Sequence, residues 1–396
     1  MKIAILHEMF VKLGGAEKVV ETWCKMYPNA DIFTLIYDEK KCGNIFPKNK
    51  INKQVFKLTT QKIYNITKKQ RLCLPFMANS IEQLDFSNYD VVLCSSSGFA
   101  HGAITKPETK FIVYCHSPAR YMWDWTNEYK KDIGANKGIK GYILNKLFLK
   151  LRQWDFIASN RADITLANSK NTQNRITKYY RKKSEILYPP VETKRFGKTI
   201  TNMTPVPNTK KLNIGIDIEK NYYIIISALT EFKKIDIAIK SFNKMNDQNL
   251  VIIGEGKYRA VLEKKCSYSS PYKGRVRGGN IIFTGAKYSD ELVSLIQNSN
   301  GLIFPGEEDF GIVPIEVMAA GKPIFAYNGG GLKETVLKGI TGEFFNNKNG
   351  NDFIEKFKIF DKNNKNGFYS EKDCKKQAEL FSEKNFKIKI KELVEN

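Results

Sequence analysis

The sequence predicts an α/β protein with two doubly wound parallel-sheet domains. Short runs rich in Ile, Val and Phe recur along the chain, and each is followed by a helical or polar stretch of crossover length. Such nearly continuous apolar strands are typical of parallel sheets that are covered on both faces. Two series of five runs indicate two domains. The runs are Lys2–Leu6, Asp31–Ile36, Asp90–Cys94, Lys110–Cys115 and Asp163–Ala167, then Tyr222–Ser227, Leu250–Ile253, Ile281–Thr284, Gly301–Phe304 and Pro323–Ala326.

The domain boundary is expected near residues 190–221. The prolines of Tyr188-Pro189-Pro190 end the last element of the first series, and the following segment shows no sustained periodicity. We therefore assign residues 1–195 to an N-terminal domain, 196–220 to a linker and 221–375 to a C-terminal domain. From about Glu371 onward the pattern predicts a terminal helix pair, with the C-terminal helix placed over residues 376–396.

The chain is strongly basic, and its charge is uneven. Its 396 residues include 64 Lys and Arg against 41 Asp and Glu, a net charge of +23. Residues 1–200 hold 34 of the basic and 17 of the acidic residues, and ten basic residues without an acid lie between Lys40 and Ile81. The segment GYILNKLFLKLRQW at 141–154 spaces Leu and Phe at helical intervals between basic residues. Such a helix can lie on an anionic membrane surface.

The positive charge is also compatible with nucleic-acid binding, and with a Lys-rich compositional bias that has no function. Because no nucleic-acid-binding motif accompanies the charge, we expect an anionic membrane or acceptor and no nucleic acid. The hydrophobic content of 42% excludes general disorder. The sequence lacks both an apolar run of spanning length and a secretory signal pattern. We therefore expect a cytoplasmic protein, peripheral at the inner face of the cytoplasmic membrane.

The seven cysteines are scattered and form no CxxC or Cys/His cluster. A zinc site or a disulfide framework is therefore not expected. Cys94 and Cys115 lie in apolar strand-like runs, where a reduced core thiol is the simplest interpretation.

Two glycine-containing turns are candidates for ligand binding. Gly14 and Gly15 separate the first strand from a helix predicted over Ala16–Tyr27, and such a turn leaves helix N–H groups free for an anion. A tight strand-to-helix turn needs glycine in any case, so this signal is weak alone. The segment GEEDFGIVPIEVMAAG at 306–321 is more specific, because an acidic loop after a strand leads directly into a helix that begins near Val313.

The chemistry of this second turn suits a sugar nucleotide. The carboxylate of Glu316 can accept hydrogen bonds from both ribose hydroxyls, and that of Glu308 can accept them from the hexose. The N–H groups of Ile312 and Val313 at the helix start can hold a diphosphate. The alternative is that both glutamates only favour the helix N-terminus through its dipole.

Several segments together resemble retaining glycosyltransferase family 4. The spacing of Glu308 and Glu316, with seven residues between them, is similar to the family signature. The resemblance continues in HEMFVKLGGAEKVVE at 7–21, YCHSPARYMWD at 114–124, ANSKNTQNRITKYY at 167–180, ILYPPVE at 186–192 and FPGEEDFGIVPIEVMAAGKPIFA at 304–326. It implies the GT-B fold, with two Rossmann-like domains facing across a cleft. HSPARYMWD and GEEDFGIVPIE most resemble a branch of bacterial O-antigen and surface-polysaccharide mannosyltransferases.

The resemblance implies roles for the N-terminal domain. Gly14 and Gly15 would form the loop near the transferred sugar and the diphosphate. His116 matches the family histidine that points at the donor sugar and would be catalytic. A lone histidine after an apolar strand is otherwise a structural residue.

The resemblance also implies the donor site of the C-terminal domain. Backbone groups of Phe310, Gly311 and Ile312 would hold hexose hydroxyls beside Glu308, and Glu316 would hold the ribose. Val313 would join the diphosphate contacts at the helix start.

Lys233 matches the family lysine that neutralises the leaving diphosphate. The family pairs this lysine with an arginine five residues earlier, where this chain has Ala228. Lys234, Arg275 or Arg277 could compensate, although the segment around the two arginines also resembles a variable surface loop.

The resemblance implies a metal-independent transferase that moves a hexose with retention. Mannose from GDP-mannose is the first expectation for the donor, and a UDP-hexose is the alternative. The implied acceptor is a lipid-linked glycan or oligosaccharide in O-antigen, lipopolysaccharide or capsule assembly. Another GT-B chemistry, such as inversion or phosphorolysis, and a non-catalytic nucleotide-sugar-binding subunit are the rival hypotheses, and Ala228 favours the latter.

Overall fold

The computed structural model describes residues 1–198, 221–245, 247–266 and 281–395. The chain forms two compact units, one made of Met1–Pro190 with Phe386–Asn396 and the other of Val191–Asn385. Each unit contains one six-stranded parallel sheet. The predicted fold class, two doubly wound α/β domains, is confirmed. The predicted linker from residue 199 onward and the segment with Arg275 and Arg277 lie outside the described residues.

The sheet of the first unit has the order β2-β1-β3-β4-β5-β6. From β1 the chain adds β2 on one side, and it then adds β3 to β6 on the other side. The loops that follow β1 and β3 therefore run to opposite faces of the sheet and diverge at its carboxyl edge. Ligands of open α/β sheets bind at such a switch point. The strands are β1 Ile3–His7, β2 Asp31–Thr34, β3 Val91–Ser96, β4 Lys110–Cys115, β5 Ile164–Ala167 and β6 Glu185–Ile186.

Helices cover both faces of the first sheet and bury apolar clusters against it. The longest of them has 21 residues and contains the basic segment 141–154. The helices before residue 190 are α1 Gly15–Met26, α2 Glu39–Cys42, α3 Thr59–Thr67, α4 Met77–Glu82, α5 Thr126–Asp132, α6 Gly138–Ala158 and α7 Lys170–Tyr180.

The sheet of the second unit has the order β12-β11-β10-β7-β8-β9. Its switch point lies between β7 and β10, which pair through Gly301 with Tyr223 and Leu302 with Ile224. The strands are β7 Tyr223–Ile226, β8 Leu250–Ile253, β9 Ile281–Gly285, β10 Gly301–Phe304, β11 Ile324–Tyr327 and β12 Gly342–Phe345.

The helices of the second unit enclose a core that is rich in phenylalanine. They are α8 Thr193–Gly197, α9 Ile235–Phe242, α10 Arg259–Cys266, α11 Ser289–Gln297, α12 Ile312–Ala319, α13 Leu332–Thr335, α14 Phe353–Lys365 and α15 Glu371–Glu379, followed by α16 Glu383–Glu395. No helix within the described ranges is long and apolar enough to cross a bilayer.

The two observed units differ from the predicted domains at the boundary between them and at the C-terminal helices. Residues 191–195, which we placed in the N-terminal domain, belong to the second unit. There Val191 pairs with Ser382, and the Thr193 hydroxyl donates to Glu379 at 2.9 Å. The predicted C-terminal helix over 376–396 is two helices, because the chain leaves α15 to make this pairing. Most of α16 then packs on the first unit, with Phe386 against Tyr114.

Candidate functional site

The switch point of the second sheet brings together two loops that carry predicted site residues. One loop follows β7 and ends in the short 3₁₀ turn Glu231–Lys233, and the other follows β10 and leads into α12. The Lys233 ammonium contacts the Glu308 carboxylate, although 75 residues separate the two in the chain. Both side chains keep part of their surface accessible, so a ligand can reach them.

Glycines allow this close approach. A Cβ on Gly306 would lie 2.9 Å from the Lys233 carbonyl oxygen, so the loop after β10 rests directly on the backbone of the lysine loop. On the other side, a Cβ on Gly330 would lie 2.0 Å from the Glu308 carbonyl oxygen. The Gly331 N–H donates to that oxygen at 2.9 Å. The Glu308 loop is therefore held between two neighbouring loops.

The start of α12 has the geometry that the sequence indicated. Gly311 is the N-terminal cap with φ +89°, a left-handed backbone that favours glycine. The helix begins at Ile312, so the N–H groups of Ile312 and Val313 fall in its first turn, where helical N–H groups have no intrahelical acceptor. Phe310 is buried and packs on Phe381, which anchors the loop just before the helix.

Glu316 lies on α12, four residues after the helix begins, and it is 5% exposed. A carboxylate at this depth needs polar partners, because an isolated buried charge is costly. Glu316 differs in this from Glu308, whose side chain is partly exposed to solvent and contacts Lys233. The two glutamates therefore occupy different environments along the same segment.

Ala228 lies in the loop after β7, where it is exposed. Its neighbour Leu229 is buried, and the Leu229 N–H donates to the Glu255 carbonyl oxygen at 2.9 Å. The loop backbone is thus fixed by the adjacent loop after β8. Lys234 caps α9 with φ +54° and is exposed.

In the first unit, Gly14 caps α1 and the helix starts at Gly15. The carboxylate of Glu17 lies close against this turn, since a Cβ on Gly14 would be 3.2 Å from Glu17 Oε2. Glu17 is buried, and its Oε1 lies 3.4 Å from His7 Nε2. A buried carboxylate therefore lies against the turn that we predicted for a diphosphate.

His116 follows β4 and is held through both backbone polar groups. Its N–H donates to the Ser96 carbonyl oxygen at 2.9 Å, and its own carbonyl oxygen accepts from the Thr172 hydroxyl at 3.2 Å. Its ring Nε2 lies 2.8 Å from Ser95 Oγ, which in turn lies 3.0 Å from His7 Nδ1. His116 and the Gly14 turn are thus linked through His7 and Glu17.

Burial and the neighbouring His7 shift the pKa values in this cluster. The pKa of His116 is lowered to about 3, because desolvation and the nearby His7 both disfavour its protonated form. Burial acts to raise the pKa of Glu17, but the hydrogen bond to His7 and the electrostatic effect of that ring outweigh burial and lower the pKa. His116 is therefore a neutral imidazole over the physiological range.

Within the described ranges, no group of three or more His, Cys, Asp or Glu side chains is arranged to hold a metal ion. Metal independence stays a prediction. The cysteines are free thiols, and burial raises the pKa of Cys42 to about 11.

Sequence reasoning missed His7, Glu17 and Ser95, and it missed the packing role of Gly306 and Gly330. A signal was present for three of them. His7 and Ser95 lie at or near the ends of neighbouring apolar strands, and Gly330 belongs to a Gly-Gly-Gly run after β11. Nothing in the sequence marked Glu17 as a partner of His7.

Two family models match the chain, one in each half. Residues 13–195 match "Glycosyltransferase Family 4", and residues 208–381 match "Glycosyl transferases group 1". The first half of the chain is therefore similar to a family 4 glycosyltransferase domain, and the second half to a group 1 glycosyl transferase domain.

The relatives include alpha-1,3/1,6-mannosyltransferases named ALG2. The Candida glabrata protein is 27% identical over 260 residues, 58% of this chain and 53% of that relative. This chain thus spans about half of that relative's length. The Dictyostelium discoideum protein is 24% identical over 391 residues, 87% of this chain and 86% of that relative.

Solved structures share the fold over the whole chain. Anabaena HepE, crystallised in complex with UDP, has a TM-score of 0.69 at 15% identity and covers 100% of both chains. The lipopolysaccharide outer core galactosyltransferase WaaB has a TM-score of 0.60 at 18% identity and covers 98% of both chains. At these identities the similarity shows the fold, which is GT-B.

Proposed function

We propose that this chain transfers a hexose from a nucleotide diphosphate sugar to an acceptor hydroxyl with retention of the anomeric configuration. In this reaction the bond from C1 to the diphosphate breaks, and a bond from the acceptor oxygen to C1 forms. The acceptor hydroxyl releases its proton, and the nucleoside diphosphate leaves. The support is the identity of both domains and the residues at the switch point of the second sheet.

The observation that carries the proposal is the contact between Lys233 and Glu308 at that switch point. Glu308 lies in the loop that leads to α12, so the contact brings a cation to this loop, and the N–H groups of Ile312 and Val313 at the helix start lack intrahelical acceptors. A cation and a helix N-terminus together suit a diphosphate whose charge grows as the bond to C1 breaks. Glu308 then accepts hydrogen bonds from the hexose, and Glu316 from the ribose.

Mannose from GDP-mannose is the proposed donor, because two relatives whose alignments cover 87% and 86% of this chain are mannosyltransferases. A UDP-hexose is the alternative, supported by the UDP and UDP-glucose complexes of HepE. Both donors carry the diphosphate and ribose that the site would hold. No metal is required if Lys233 and the α12 N–H groups balance the diphosphate charge.

We propose a lipid-linked glycan acceptor in bacterial surface-glycan assembly, used at the inner face of the cytoplasmic membrane. The outer face of α6 supports a membrane surface as a partner. Ile139, Ile143 and Ile157 on this helix are 80%, 60% and 63% exposed. Lys146 and Lys150 lie exposed along the same helix, and residues 133–154 contain no acid. An exposed apolar face with flanking lysines suits an anionic lipid surface.

A transfer assay with a labelled nucleotide sugar and a lipid-linked oligosaccharide tests the proposed function. We expect Glu316→Ala to abolish donor binding and transfer, and Glu316→Gln to keep the fold while weakening both. Glu355→Ala, on the exposed surface of α14, is the control and should behave as wild type. Wild-type-like transfer by Glu316→Ala would refute the assigned site.

The exposed Ala228 favours the rival function, a nucleotide-sugar-binding subunit without transferase activity. Under our proposal, Ala228→Arg adds a second cation near the diphosphate and should raise turnover and tighten nucleotide binding. A charge-assisted contact of this kind contributes about 2.7–4 kcal/mol at a developing anion. Unchanged turnover would mean that another residue already supplies this charge, and transfer that stays absent in both proteins would favour the rival.

A further inference from the structure

A chain of four polar side chains crosses the carboxyl edge of the first sheet. It runs from Glu17 on α1 to His7 at the end of β1, then to Ser95 on β3 and His116 after β4. The successive contacts are 3.4 Å from Glu17 Oε1 to His7 Nε2, 3.0 Å from His7 Nδ1 to Ser95 Oγ, and 2.8 Å from Ser95 Oγ to His116 Nε2. Glu17, His7 and Ser95 are buried.

The chemistry of these groups orders the protons along the chain. An ionised carboxylate only accepts hydrogen bonds, so Glu17 requires the proton of His7 on Nε2. A neutral imidazole carries one N–H, so His7 Nδ1 is then an acceptor and must receive the Ser95 hydroxyl proton. Ser95 has no second proton, so its oxygen can only accept from His116 Nε2. A neutral His116 then has a bare lone pair on Nδ1.

Two properties of the cluster agree with the protonation states that this order requires. The pKa of Glu17 is lowered by its hydrogen bond to His7, which keeps the carboxylate ionised. The pKa of His116 is lowered to about 3, which keeps its ring neutral. In the part of the chain that the structure describes, Nδ1 of His116 has no protein hydrogen-bond partner.

We infer that Glu17, His7 and Ser95 are positioning residues that fix the tautomer of His116, so that its Nδ1 is presented as a hydrogen-bond acceptor for a substrate hydroxyl. The part of this inference that concerns the substrate rests on the proposed transferase function. The tautomer itself is a property of the free protein. A second proton on His7, at Nδ1, would leave its hydrogen bond to Glu17 unchanged but would reverse the two bonds through Ser95, and a neutral His116 would then carry its proton on Nδ1.

The test is ¹⁵N NMR of the whole protein with labelled histidine. The chain has only three histidines, so His7, His101 and His116 can each be assigned from one variant. At neutral pH we expect His116 and His7 both to carry their proton on Nε2. A wild-type His116 with its proton on Nδ1 would overturn the inference, and this readout needs no substrate.

Ser95→Ala removes the hydroxyl and should abolish the preference of His116 for one tautomer, while Ser95→Thr should restore it. Ser96→Ala is the matched control, because Ser96 is equally buried but its hydroxyl contacts His101 Nδ1 at 3.0 Å. It should leave the His116 tautomer unchanged. If Ser95→Ala also leaves that tautomer unchanged, the chain of polar side chains does not determine the His116 tautomer, and the inference is refuted.

Kinetics then separates positioning from a purely structural role. Loss of one hydrogen bond of about 1 kcal/mol predicts a fall in kcat/KM of about fivefold for Ser95→Ala, recovered in Ser95→Thr. If neither wild type nor variants transfer a hexose, the proposed function fails while the NMR result still decides the tautomer. A shifted tautomer with unchanged kcat/KM would refute the part that concerns the substrate.

Discussion

Lys233 and Glu308 contact each other across the switch point of the second sheet, from loops that follow β7 and β10. Each of them had a separate predicted role, the lysine at the diphosphate and the glutamate at the hexose. Their contact means that the cation is already held in place before a ligand arrives. The ammonium has three N–H donors, so it can contact a diphosphate while it keeps Glu308.

Replacing Lys233 by Ala should reduce kcat by about 10²–10³, because one cation at the leaving diphosphate is lost. Lys240→Ala is the matched control, since Lys240 lies on α9 of the same unit and is exposed. Steady-state transfer kinetics measures both. Equal losses in the two variants would contradict a specific role for Lys233.

Gly330→Ala should destabilise the second unit and displace the Glu308 loop. Gly330 has φ +60°, and its new Cβ would lie 2.0 Å from the Glu308 carbonyl oxygen. The control is Gly339→Ala, where φ is +74° and no atom lies within 4 Å of the new Cβ. Left-handed strain costs about 1–2 kcal/mol in both variants, and crowding adds about 1–3 kcal/mol in Gly330→Ala alone.

Denaturant-induced unfolding measures the difference in unfolding free energy between Gly330→Ala and Gly339→Ala. Transfer assays show how each substitution affects the candidate site. Gly330→Ala should also lose activity, whereas Gly339→Ala should keep it. Equal unfolding free energies in the two variants would show that the Gly330 loop does not press on Glu308.

The exposed face of α6 should bind anionic vesicles. Co-sedimentation with phosphatidylglycerol vesicles is expected to exceed that with phosphatidylcholine and to fall at high salt, because about 1 kcal/mol per lysine is electrostatic. Ile143→Ser should weaken the binding. Phe368→Ser, at another exposed apolar side chain outside α6, is the control. Equal binding to both lipids would contradict the assignment of an anionic surface.

The stability of the protein should fall on acidification, in part through His116. The unfolded histidine has a pKa of about 6.5, and the folded one has a pKa of about 3. The unfolded chain therefore binds more protons between these values, so the contribution is complete above pH 6.5 and is lost as the pH falls towards 3.

His116→Asn removes this contribution, so its unfolding free energy should depend less steeply on pH between 6 and 4. The difference in slope can reach about 1.4 kcal/mol per pH unit for one proton. The two slopes should coincide at pH 8. Parallel curves down to pH 4 would mean that His116 is not desolvated.

The sequence predicted the sheets well because their strands are continuous apolar runs, which are a local signal. It missed β6 and β12, which each form one edge of their sheet. The first has only two residues, Glu185 and Ile186, and the second begins with Gly342. Edge strands are buried on fewer sides and so need less apolar sequence.

The part of the donor site that one continuous segment of the chain forms could be predicted from the sequence. Gly311, Ile312 and Glu316 form one strand-loop-helix segment whose spacing indicates the turn. The contact of Lys233 with Glu308 and that of His7 with Ser95 join residues 75 and 88 positions apart. Such contacts depend on strand order, which hydrophobic patterns do not determine. The return of α16 to the first unit likewise had no local signal.

A thermal-shift panel tests the central claim, nucleotide-sugar binding at the second sheet, most directly. The panel contains GDP, UDP, ADP and CMP, then the matching nucleotide sugars, with and without EDTA, for wild type and Glu316→Ala. A ligand that binds only the native state raises Tm by mass action. We predict a selective rise with GDP and GDP-mannose that EDTA does not alter and that Glu316→Ala abolishes. A rise with UDP alone would keep the transferase and refute the mannose donor, and no rise with any nucleotide would contradict the account.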